Sequence, residues 1–152
     1  MVYSSRTFRV EDSTMSETTS QTLDALFDAA MQASQNSYSP YSHFRVGAAI
    51  LCEDGSIIIG ANVENRSYGL TNCAERSAVF AAVSSGKRDF KAIAIATPDA
   101  DYPVSPCGAC RQVLSEFFPG AAPLQFGNNK NSRTTTTVAE LFPFDALHEL
   151  AR

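Results

Sequence analysis

Two short segments, Cys73-Ala74-Glu75 and Pro106-Cys107-Gly108-Ala109-Cys110, constrain this chain more than any other feature. Three thiols in this pattern can hold one zinc ion. A structural zinc takes all four tetrahedral ligands from protein, whereas three protein ligands leave one position for water, as in a catalytic site. Cys107 and Cys110 stand three apart at the predicted start of a helix, so both thiols can face one point. Cys73 also opens a predicted helix. Helix N-termini carry unpaired N–H groups and partial positive charge, which lowers thiol pKa values and favours thiolate.

Three other readings of the thiols compete. A redox Cys-x-x-Cys pair leaves Cys73 and Glu75 unexplained. Inert core cysteines form the second, and a closed structural zinc with His43 or His148 as fourth ligand the third. Cys52 lies among apolar residues in a predicted strand and is expected to be a buried free thiol.

Glu75 is the candidate proton carrier. Metal coordination brings the pKa of water from ~15.7 towards ~7, and a nearby carboxylate can take that proton and pass it on. The plainer reading is a first-turn carboxylate that complements the helix dipole. Three thiolates around one zinc leave a net negative charge and weaken its Lewis acidity. Arg76 is suited by sequence to donate hydrogen bonds to those sulfurs; the alternative is a surface salt bridge.

The chain has 152 residues, 44% of them hydrophobic, which suits one domain with a substantial core. Its net charge of −4 argues against a nucleic-acid partner and against an anionic membrane surface. No long apolar run reads as a membrane span and no leader is evident, so a cytoplasmic protein is expected. Residues 1–20 are rich in Ser and Thr and are expected to form a flexible N-terminal tail. Residues 21–152 are expected to form the catalytic domain.

Leu23, Leu26, Phe27, Ala30 and Met31 predict a helix from Thr22. Phe44–Cys52 and Ser56–Val63 predict a hairpin about a two-residue Asp54-Gly55 turn. Cys73–Ser85 and Cys107–Phe118 predict helices, and Lys91–Thr97 a buried strand. Two short strands, 123–127 and 133–138, follow, then a helix over 139–150 broken at Pro143. Helices interleaved with strands imply an α/β fold with both sheet faces covered. The last linker is too short for a parallel crossover, so the final strands should be antiparallel if they pair.

Two stretches suggest a ligand. Asn62 and Glu64, two apart at a predicted strand end, point the same way and could grip sugar hydroxyls; an ordinary polar strand end is the alternative. Phe44 could stack on a flat base or pack into the core.

Taken together, the residues closely resemble the cytidine deaminase family, in its small homotetrameric branch. The resemblance covers roughly residues 22–145. It rests on Ser42-His43-Phe44-Arg45-Val46-Gly47-Ala48-Ala49, Asn62-Val63-Glu64-Asn65 through Tyr68, Cys73-Ala74-Glu75-Arg76, and Ser105 through Gln112. The cysteine pattern is similar to the general zinc-deaminase signature. The resemblance implies a three-layer α/β/α sandwich around a mixed five-stranded sheet, with the last two strands antiparallel. It implies zinc on Cys73, Cys107 and Cys110, and Glu75 as proton shuttle for a zinc-bound hydroxide. Phe44 would stack near the base, Asn62 and Glu64 would hold the ribose, and the backbone around Ala74 and Ser105 would read the pyrimidine edge. The implied reaction is hydrolytic deamination of cytidine or deoxycytidine, in pyrimidine salvage. The family often has Leu-Leu-Pro near its end, where this chain has Leu141-Phe142-Pro143-Phe144. Phe144, with Phe142 behind it, is the aromatic expected to enter a neighbouring subunit's site. Three readings are rivals: an aminonucleoside antibiotic deaminase, which the Asn62/Glu64 pair disfavours; a polynucleotide deaminase, which the acid balance and the short final hairpin disfavour; and a zinc-stabilised interaction module, for which an open fourth ligand position has no use.

Overall fold

A computed structural model describes residues 20–146. The expected tail over 1–20 therefore lies outside the described residues, save Ser20, which begins the first helix. The elements run α1 (Ser20–Ala33), β1 (Gly47–Cys52), β2 (Ile57–Ala61), α2 (Ala74–Ser84), β3 (Phe90–Ala96), α3 (Gly108–Phe117), β4 (Pro123–Asn129), β5 (Ser132–Thr137) and α4 (Val138–Leu141).

One five-stranded sheet has the order β2-β1-β3-β4-β5. Only β3 and β4 are parallel, and α3 supplies the crossover between them. The pairs β1–β2, β1–β3 and β4–β5 are antiparallel. The sheet is thus mixed and its last pair antiparallel, as expected.

Strand alternation sorts the core into two layers. Ala49, Ala92, Ala94 and Ala96 pack with Leu26, Phe27 and Ala30 of α1. Ala48, Ile50, Ile93 and Ile95 pack with Ala74, Ala78 and Val79 of α2 and Leu114 of α3. Helices therefore cover both faces, giving the three-layer sandwich. Two glycines set how closely the helices sit. A Cβ at Gly47 would lie 2.0 Å from the Ala30 carbonyl oxygen, and one at Gly60 would lie 2.4 Å from the Ala78 nitrogen. Helix α1 and helix α2 rest on the sheet at those two points, one on each face.

This topology gathers three chain ends at one edge. Gly47, the first residue of β1, pairs with Ala61 and Ala96, the last residues of β2 and β3. The segments leading into α2 and α3 leave from that edge. In open α/β sheets, ligands bind beyond the carboxyl ends of strands.

Several element limits differ from expectation. β1 begins at Gly47 and not at Phe44, because residues 44–46 give their backbone groups to side chains of Asn62 and Asp99. β2 ends at Ala61, so Asn62–Asn65 follow the strand, and among them Val63 forms isolated bridges with Tyr38 and Asn72. The hairpin loop is one residue longer than a two-residue turn. Cys52 N–H bonds the Ser56 carbonyl, and Gly55 takes φ 85° between them. That is the three-residue loop with a left-handed glycine. The final hairpin is tighter than expected, with only Lys130 and Asn131 between β4 and β5. Helix α4 is held by a Thr137/Glu140 capping box and stops at Leu141, before Pro143. The rest of the expected broken helix, 147–150, lies outside the described residues.

Candidate active site

Helices α2 and α3 present their N-termini to the same point. Cys73 is the N-cap of α2 and Cys107 the N-cap of α3; both are extended, and neither sulfur caps its own helix. Their thiols are therefore free for another partner. Cys110 is one turn into α3 and fully buried. The three sulfurs lie within 4.8 Å of one another, with Cys73 and Cys107 3.9 Å apart. No other His, Cys, Asp or Glu among the described residues joins this cluster, so His43 is not a fourth ligand. His148 lies outside the described residues. All four cysteines are free thiols, and Cys52 is buried as expected.

The electrostatics of the cluster fit a divalent cation. Hydrogen bonding with Cys110, then with the Arg76 guanidinium, lowers the Cys73 thiol from 9.0 to about 5. Cys110 moves the opposite way, well above the ordinary thiol range, through its hydrogen bond with Cys73 and its burial. One thiolate at this spacing opposes the next. A dication among the sulfurs removes that conflict and favours all three thiolates. Arg76 Nη2 donates to Cys73 Sγ at 3.1 Å, and its Nε is buried without a hydrogen-bond partner. A guanidinium with a donor to spare suits a sulfur cluster that carries more than one negative charge. Arg76 thus contacts a thiol of the cluster, and it forms none of the ion pairs found among the described residues.

Glu75 is 4% exposed in the first turn of α2. Burial raises its pKa to about 7; its own backbone N–H opposes the shift and the Cys73 charge adds to it. A helix-dipole carboxylate would be exposed and held low. A buried one poised near neutrality can take and return a proton. Ala74, beside it, is fully buried.

The loops that bear Phe44, Asn62 and Glu64 hold one another. The Asn62 amide is buried: Nδ2 donates to the Phe44 carbonyl at 2.9 Å, and Oδ1 accepts from Val46 N–H at 2.9 Å and from Ser37 Oγ at 2.6 Å. One Asn62 side chain thus does the work of a strand neighbour for residues 44–46. Glu64 accepts from the backbone N–H groups of Tyr41 at 2.9 Å and Ser42 at 3.2 Å, and from the Ser42 hydroxyl. The Ser42 hydroxyl bond is the main cause that holds its carboxyl below the ordinary range. Phe44 is half-buried. Ser105 is tied to Arg111, whose guanidinium reaches Ser105 Oγ at 3.0 Å, the Pro106 carbonyl at 2.8 Å and the Leu141 carbonyl at 3.1 Å. Phe144 is brought to none of these groups; it is fully exposed, at φ 57°.

Residues 20–124 match the family described as the cytidine and deoxycytidylate deaminase zinc-binding region. The chain belongs to this deaminase family. It is 53% identical over 118 residues to a cytidine deaminase of Halalkalibacterium halodurans, covering 78% of this chain and 89% of that relative. It is 51% identical over 121 residues to a cytidine deaminase of Sporosarcina psychrophila, covering 80% and 88%. Among solved structures it is similar to the 1.6 Å crystal structure of cytidine deaminase from Burkholderia pseudomallei, with TM-score 0.76 and 43% identity over 79% of this chain and 95% of that one. The family description names zinc, in accord with the donor set found here.

Sequence reasoning missed four side chains that hold these segments. Arg111 fastens the Ser105-Pro106 segment, Asp99 fastens Arg45, and Ser37 and Ser42 supply hydroxyls to Asn62 and Glu64. Arg111 and Ser42 stood inside the motifs, but nothing in the sequence says which carbonyl or carboxylate they meet.

Proposed function

We propose that this protein hydrolytically deaminates cytidine and deoxycytidine to uridine and deoxyuridine, releasing ammonia, with zinc held by Cys73, Cys107 and Cys110. The observation that carries this reading is a buried carboxylate, raised to about 7, next to three convergent thiols at two helix N-termini. When bound, zinc supplies Lewis acidity: it brings the acidity of water into the neutral range and offsets charge developing on oxygen.

The remaining work belongs to the chain. Glu75 takes a proton from the attacking water and delivers it to N3 of the pyrimidine. The water oxygen bonds to C4. Glu75 then carries the second water proton to the amino nitrogen, the C4–N bond breaks, and ammonia leaves. A group near neutrality can serve both directions of transfer. Arg76 holds charge on Cys73, and the low-polarity surroundings of Glu75 keep its proton from bulk water.

In this reading Phe44 stacks on the base, and the backbone at Ala74 and Ser105 reads the pyrimidine edge. Asn62 and Glu64 hold the ribose as well as their loops; only one of the two Asn62 Nδ2 hydrogens is committed, to Phe44. Arg45 and Arg111 donate to protein acceptors, which favours an uncharged nucleoside over a phosphate ester.

The active form is proposed to be a homotetramer in which Phe144 of one copy completes the site of another. Support comes from a bulky apolar side chain held fully exposed on a left-handed backbone, a conformation that costs about 1–2 kcal/mol. Tyr68 and Leu70 add exposed apolar surface. A pyrimidine-salvage role in the cytoplasm completes the proposal, with no nucleic-acid or membrane partner. No helix among the described residues is long and apolar enough to cross a membrane.

The test is conversion of cytidine followed by absorbance, with zinc counted per chain and mass measured by light scattering. Zinc-replete protein that leaves cytidine and deoxycytidine untouched would end this reading.

A further inference from the structure

Phe44-Arg45-Val46 leads into β1 without belonging to it. On one side the segment is held by Asn62, as described above. On the other it is held by one carboxylate. Asp99 Oδ2 accepts from the Arg45 backbone N–H at 2.8 Å and from Arg45 Nε at 3.0 Å, while Oδ1 accepts from Nη2 at 2.7 Å. The remaining arm of the guanidinium, Nη1, reaches Gln35 Oε1 at 3.2 Å.

Asp99 is itself anchored. Its turn is closed by Ala100 N–H on the Thr97 carbonyl at 3.1 Å, and Thr97 N–H bonds the Gly127 carbonyl at 2.9 Å. Asn128 Nδ2 ties down the Ala100 carbonyl at 2.8 Å. The turn is therefore pinned to the end of β4, and the Phe44 segment is what hangs from it. The same strand-to-helix connection continues to Ser105, Pro106 and Cys107. Asp99 thus joins the segment bearing Phe44 to the segment bearing Ser105.

We propose that Asp99 and Arg45 are a positioning pair that fixes Phe44 relative to the Ser105 segment, and so sets affinity for the nucleoside without taking part in the chemical step. The proposal rests on the nucleoside reading above. An exposed ion pair contributes little to stability on its own, but a bidentate guanidinium–carboxylate pair is directional. Misplacement of a group that orients substrate weakens binding even when the chemistry is intact. The two partners are unequal. Removing Asp99 releases the Arg45 backbone and its guanidinium; removing the Arg45 side chain leaves the backbone bond to Asp99.

The experiment is steady-state kinetics with cytidine on the full chain, for the parent, Asp99→Ala, Arg45→Ala, Asp99→Glu and the double alanine variant, with zinc content and melting temperature measured alongside. Asp99→Ala should raise KM about tenfold with kcat within about threefold of the parent and zinc unchanged. Arg45→Ala should raise KM by a smaller factor, Asp99→Glu should recover part of the loss, and the double variant should match Asp99→Ala, because one interaction is lost in both. A KM within twofold of the parent in Asp99→Ala overturns the proposal, as does a lowered kcat or zinc content at unchanged KM, or additive effects in the double variant. If Asp99→Ala fails to fold, Arg45→Ala, altered only at a partly exposed side chain, decides: an unchanged KM rejects the pair. A parent that does not convert cytidine fails the nucleoside reading first, which the control separates from failure of the pair.

Discussion

Cys73, Glu75, Arg76 and Cys110 sit on or beside the first turns of two helices, whereas Phe44, Asn62 and Glu64 sit in loops without regular structure of their own. In the first region each side chain is placed by its helix. The spacing of residues along one turn decides that Cys107 and Cys110 face one point, and that Arg76 reaches back to Cys73. In the second region each side chain is placed by a partner far away in sequence. Asn62 takes the place of a strand beside Phe44 and Val46, Glu64 gathers Tyr41 and Ser42, and Asp99 holds Arg45. The helical region brings three thiols and a buried carboxylate together with locally built geometry. The loop region is held by hydrogen bonds that exist only after folding.

Four changes press on this contrast, beginning with the largest effect. Cys110→Ala removes the buried thiol of the cluster and should abolish metal binding and with it all turnover, while the sheet persists. Zinc analysis and circular dichroism check it; a zinc-loaded, active variant would break the helical half of the comparison. Glu75→Gln should keep the metal and the fold but lose at least ~10²–10⁴ in kcat, the usual range for a general acid–base group. Near-normal turnover would return Glu75 to a mere helix-start residue.

Asn62→Ala tests the loop half. It strips partners from the Phe44 carbonyl, the Val46 N–H and the Ser37 hydroxyl at once. Unfolding should show a loss of about 1–3 kcal/mol, and KM should rise as well. A variant with weaker binding but parental stability would mean that Asn62 serves the ligand alone.

The smallest effect is a pH dependence. Arg45, mainly through its side-chain hydrogen bond, lowers the Asp99 carboxyl from 3.8 to about 2. A carboxyl lowered on folding adds stability above its ordinary pKa and loses it as pH falls through the folded value. The stability gap between the parent and Asp99→Asn should therefore be small and flat near neutrality, since solvent screens so exposed a pair, and should close between 3.8 and about 2. Denaturant midpoints measured across that interval provide the check; a gap that widens on acidification would show that Arg45 is not its source.

The three clustering thiols and the order of helices and strands were legible in the chain itself. Thiol spacing, apolar periodicity and the short link between the last two strands are local facts, and local facts survive folding unchanged. Phe44–Val46 read as strand because their residue types suit one, yet their backbone groups are met by side chains arriving from positions 62 and 99. No rule of spacing joins Arg45 to Asp99, or Arg111 to the carbonyl of Leu141. Sequence by itself determined which groups could do the chemistry, because a helix turn fixes neighbours three and four residues apart. Only the tertiary structure decided how the loops bearing Phe44, Asn62 and Glu64 are held, because those hydrogen bonds close over long stretches of chain and form where the sheet edge brings their ends together.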